Sequence, residues 1–75
     1  MTPQQCRAAR GLLDITLEQF SALAGVSYTC AMSFENGRDA RPRQRALMRQ
    51  AMEAQGIQFI DGRHSGVMIA VENAA

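Results

Sequence analysis

Apolar residues recur at three- and four-residue spacing as far as Gly56, and at every second position beyond it. The first part therefore predicts helices and the second predicts strands. Thr2-Pro3 is a helix start, with a hydroxyl at N-cap and proline at N1. Cys6, Ala9, Leu12 and Leu13 form the apolar stripe of a first helix over residues 3–13. Thr16, with Gln19 three residues on, has the form of a capping box and opens a helix over 16–24. Phe20, Leu23 and Ala24 supply its inner face, and Gly25 ends it, because glycine tolerates the left-handed cap. Ser27 caps a third helix over 27–36, which Gly37 ends. After an arginine-rich loop at 38–42, a fourth helix over 43–55 carries Leu47, Met48, Ala51 and Met52. Ile57–Asp61 and Val67–Val71 are runs rich in β-branched residues and read as a hairpin or strand pair. The expected buried centre is Leu13, Phe20, Leu23, Val26, Phe34, Leu47 and Ala51.

The chain has 75 residues, enough for one domain whose small core leaves little stability to spare. Chains of this size commonly gain support from disulfides, metal or self-association. Cys6 and Cys30 form no CxxC or Cys/His cluster, so no metal site is expected. Both thiols read as reduced and buried, in a cytoplasmic protein. His64 is the only histidine and falls in a glycine-flanked turn, where exposure is expected. It leaves no constellation for acid–base or nucleophilic catalysis, so neither enzyme activity nor a cofactor is expected. No apolar run approaches the length of a membrane span, and no signal peptide is visible. Self-association remains as the support. Val67–Val71 is apolar on both faces and invites pairing with another chain. Residues 57–75 are accordingly expected to extend the helical part, 1–56, within the same domain and to make a homodimer through Val67, Ile69 and Val71.

The net charge is only +1, but all eight basic residues are arginine, and five of them lie within residues 38–49. Asp39 alone opposes Arg38, Arg41, Arg43, Arg45 and Arg49 there. Such a cluster is either a solvated surface or a grip on phosphate.

Two short helices joined by a tight glycine turn form the mechanical core of a DNA reader. Ile15, Thr16, Glu18, Phe20, Gly25, Val26, Ser27, Phe34, Glu35, Asn36 and Gly37 fall in the order and spacing of one family. In these residues the chain resembles the Cro/C1-type (XRE family) helix-turn-helix regulators, over about residues 3–56. The opening TPQQCRAARGLLD also resembles small regulators of alphaproteobacteria and their mobile elements. The resemblance implies a mainly α, four-helix, lambda-repressor-like domain that binds operator DNA as a dimer and regulates transcription. It also implies a structural ion pair between Arg10 and Glu35. Tyr28, Thr29, Met32 and Ser33 would face base edges, and Leu17, Ser27, Arg38, Arg41 and Arg43 the sugar-phosphate backbone.

The base-facing set departs from the family, because none of it is Arg, Lys, Asn or Gln, the types that make bidentate base contacts. Three arrangements are consistent with these residues. Thr29 and Ser33 can bond bases or phosphates, with Tyr28 on a phosphate and Met32 against a thymine methyl. Alternatively, Tyr28, Met32 and Leu17 form a contact with a protein, such as a transcriptional activator that this chain would inhibit. In the third, Tyr28 and Met32 lie partly in the core.

Overall fold

The computed structural model describes residues 1–61 and 66–69. Four helices come first: α1 (Pro3–Leu13), α2 (Leu17–Ala24), α3 (Tyr28–Glu35) and α4 (Pro42–Ala54). Two short strands follow, β1 (Ile57–Ile60) and β2 (Gly66–Ile69), paired antiparallel with Ile57 opposite Ile69 and Ile60 opposite Gly66. The mainly helical fold with a C-terminal strand pair is the one expected. The His64 turn and Val71 lie outside the described residues.

Local chemistry sets the helix ends. The Thr2 hydroxyl accepts from the Gln5 amide at 3.1 Å, and the Gln5 side chain accepts from the Thr2 amide at 2.8 Å. Thr16 and Gln19 repeat the reciprocal pair at the same two distances. Each box satisfies two backbone donors that a helix start leaves orphaned. At the other end of α2, Gly25 adopts φ +72°, and the Gly25 and Val26 amides both donate to the Ser21 carbonyl. That turn swings the chain directly into α3, which starts with the Ser27 hydroxyl accepting from the Cys30 amide at 3.0 Å.

The core differs in its centre from the sequence reading. Phe20, Met48, Met52 and Cys6 are the large side chains that are fully enclosed, with Ala9, Ala24, Ala31, Phe34 and Ile57 around them. Leu13, Val26 and Ala51 are half-buried at its margin, and Leu47 is half-buried as well. Leu23 is 52% exposed, and Leu12 is exposed as well. The reason on α2 is geometric. Its inner row is Leu17, Phe20, Ser21 and Ala24, a single i, i+3, i+4, i+7 face, and Leu23 sits on the flank of that row. The small residues Ala9, Ala24 and Ala31 let the helices approach closely, and the flexible methionines fill the irregular space left between them.

Strand alternation then divides the sheet. Ile57, Phe59, Val67 and Ile69 turn toward the core, while Gln58, Ile60 and Met68 face outward. The sheet is held at its neck by Gln5. This buried amide donates to the Ile60 carbonyl at 2.9 Å, to the Gly66 carbonyl at 3.1 Å and to Asp61 Oδ1 at 3.3 Å. On the other side, the Arg49 guanidinium lies 5.0 Å from the Phe59 ring centroid and pairs with Glu53 at 3.3 Å.

Candidate nucleic-acid interface

α3 buries Ala31, Phe34 and Glu35 and leaves its opposite side to solvent. Tyr28 is 47% exposed and Met32 36% exposed; Thr29 is exposed beside them and Ser33 is half-buried. Thr29 and Met32 stand near the middle of the outer arc, with Tyr28 and Ser33 on its two flanks. Tyr28 and Met32 thus belong to the surface and leave the core to Ala31 and Phe34.

Glu35 is the one charged residue of α3, and it points inward. Arg10 donates to it through both prongs of its guanidinium, Nε to Oε2 at 2.7 Å and Nη2 to Oε1 at 2.8 Å. The Glu35 backbone carbonyl accepts from Arg7 Nη1 at 2.6 Å, and the Cys6 thiol donates to Oε2 at 3.4 Å. Three residues of α1 therefore grip the C-terminal end of α3. The bond to Glu35 raises the Arg10 pKa further. Burial, and then the Glu35 carboxylate, pushes the Cys6 thiol far up, so that it stays protonated. Arg7 and Cys6 were not read from the sequence as partners of this pair. Their signal is spacing: residues 6 and 10 share a helix face, with residue 7 next to it.

Among the described arginines after α3, Arg45 is exposed and Arg49 half-buried. Arg38, Arg41 and Arg43 are exposed, and Arg41 holds the N-cap position of α4. Arg41 and Arg43 border a cleft of about 370 Å³ together with Gly25, Val26, Ser27, Gln44 and Leu47. The cleft places Arg41 and Arg43 beside Ser27, the N-cap of α3, where helix N–H groups and the macrodipole favour negative charge. Cys30 is half-buried against the edge of the core rather than enclosed.

Three of the expected site residues, Leu17, Val67 and Ile69, pack against the core. Leu17, in the first turn of α2, is half-buried with its side chain on the core. Val67 and Ile69 are half-buried against the protein's own core. The exposed apolar groups of the sheet are instead Ile60 and Met68, the latter at 50%. Asn36, exposed at the C-cap of α3 next to Arg38, is a further polar group on this side. Among the described residues, no group of three His, Cys, Asp or Glu side chains is disposed to hold a metal ion, and no helix is long and apolar enough to cross a membrane. No protein-family model and no curated protein sequence matches the chain.

Proposed function

We propose that the protein is a DNA-binding transcriptional regulator that lays the outer face of α3 in the major groove and grips the flanking phosphates with Arg38, Arg41 and Arg43. One observation carries the reading: Arg41 and Arg43 share a cleft with the capped start of α3, whose outer side is solvent-exposed and uncharged. A cationic margin beside an exposed helix start supplies backbone affinity and orients the helix for base contact. The Arg7–Arg10–Glu35 grip fixes the helix against α1, which gives the reading element a rigid mount. The active form in this proposal is a homodimer, joined through the outward face of the strand pair with Met68 and Ile60 as its apolar contacts. Two copies would then read half-sites about one helical turn apart.

The test is a fluorescence titration of labelled duplex at about 50 and 200 mM salt. Each phosphate neutralised contributes about 0.9 to the log–log salt slope. Arg38→Ala, Arg41→Ala and Arg43→Ala should each lower that slope by about 0.9 per protomer and weaken all sequences alike. A folded protein that binds no duplex at the lower salt overturns the proposal. In that case Tyr28 and Met32 become the anchors of a protein contact, the antagonist reading. Met68→Glu tests the dimer: sedimentation should show monomers, and an unchanged dimer would place the interface elsewhere.

A further inference from the structure

We propose that α3 selects its sites through the C5-methyl groups of thymine, with Met32 and Thr29 as the specificity-determining residues. The inference rests on the DNA-binding reading above and adds which chemical group of the duplex is read.

The major groove presents donors and acceptors from every base pair, and it presents one apolar group, the thymine methyl. Guanine is answered best by Arg or Lys, adenine by Asn or Gln, and cytosine by an acidic acceptor. The outer arc of the first two turns of α3 holds Tyr28, Thr29, Met32 and Ser33 and none of those types. Its one carboxylate, Glu35, is buried and doubly bonded to Arg10. Asn36 stands at the far end, beside Arg38, whereas helices of this arrangement read bases with their N-terminal residues. What α3 offers the groove is therefore a thioether, a threonine methyl, a phenol and two hydroxyls.

Those groups favour thymine from two directions. Met32 is unbranched and polarizable, so it can follow the contour of a methyl group and exclude water from it. A guanine edge against Met32 would lose hydrogen bonds to water and receive none in return, which disfavours G·C at that position. Thr29 and Met32 are i, i+3 neighbours, with Cβ atoms about 5–6 Å apart. Successive bases along a strand are about 3.4 Å apart, so the two side chains reach thymines one or two steps from each other. Arg38, Arg41 and Arg43 supply the affinity that such weak contacts lack, and they do so without regard to sequence.

The experiment compares thymine with uracil, which pairs identically and lacks only the methyl group. A pool of 20-bp random duplexes is selected on the full chain at about 50 mM salt. The enriched duplex is then synthesised with thymine or with deoxyuridine at single positions and titrated. The expected result is an enriched pair of thymines one or two steps apart. Uracil at either position should lower affinity about fourfold, the worth of one buried methyl. Met32→Ala should bring the thymine-to-uracil ratio at one of the two positions close to one and leave the salt slope unchanged. Met32 is exposed, so the variant keeps its core. Uracil duplexes bound as tightly as thymine duplexes, or enrichment of G·C at the contacted steps, would overturn the inference while leaving DNA binding in place. Absence of duplex binding would overturn both readings together.

Discussion

Arg10 and Glu35 make unequal contributions, and the inequality is measurable. The Glu35 side chain is 5% exposed, while that of Arg10 is 24% exposed. Replacing Arg10 with methionine leaves an enclosed carboxylate whose side-chain partner is reduced to the Cys6 thiol, a weak donor. A buried charge stripped of its partner costs about 3–5 kcal/mol. Glu35→Gln keeps the shape and one acceptor oxygen, and the arginine left behind can turn partly to water. The loss is then about one charge-assisted hydrogen bond, about 1.5–3 kcal/mol. The double variant Arg10→Met, Glu35→Met removes both charges, so it should be more stable than Arg10→Met alone by about 1–3 kcal/mol. For 75 residues the total stability is about 4–11 kcal/mol, so Arg10→Met removes a large share of it. Urea unfolding at neutral pH, followed by far-ultraviolet circular dichroism, resolves these differences. A double variant no more stable than Arg10→Met, or an Arg10→Met protein within about 0.5 kcal/mol of the parent, would refute the reasoning.

Three further outcomes follow from the same contacts. Because Cys6 stays protonated in the folded state, stability is fully present below the ordinary thiol pKa of about 8.5. Above it, stability falls by up to about 1.4 kcal/mol per pH unit; Cys6→Ala should flatten that alkaline slope, and an unchanged slope would assign it to another group. Gln5→Leu leaves the Ile60 and Gly66 carbonyls without their side-chain donor, costing about 1–3 kcal/mol. Its hydrogen-exchange signature is lost protection across the strand pair, and strands as protected as before would show that Gln5 is no clamp. Met48→Ala opens a void at the fully enclosed centre and should cost about 2–5 kcal/mol by thermal unfolding, whereas Leu23→Ala, on an exposed side chain, should cost well under 1 kcal/mol.

The helices were legible because their signals are local. Thr2, Thr16, Ser27 and Gly25 act within four residues of themselves, and the structure uses each as its chemistry dictates. The centre of the core was less legible. Apolarity alone ranks Leu23 above Cys6, yet the inner face of α2 is set by where α3 and α4 dock against it. The Gln5 clamp was invisible to pattern, since its partners are backbone carbonyls at Ile60 and Gly66, far along the chain. The exposed face of α3 could be read because helical geometry assigns Thr29 and Met32 to one arc once Phe34 is fixed inward.

That clamp bears on the order in which the molecule comes together. All four helices are complete by Ala54, yet the amide of Gln5 receives its partners only when Ile60, Asp61 and Gly66 are in place. Contacts between groups so distant in sequence require a long loop to close, and such closures come late in folding. A nascent chain released early would carry a helix bundle with the Ile57 position of its core unfilled and a polar amide unmatched at the seam. The strand pair therefore works as a keystone: it locks the first turn of α1 to the two strands that follow α4.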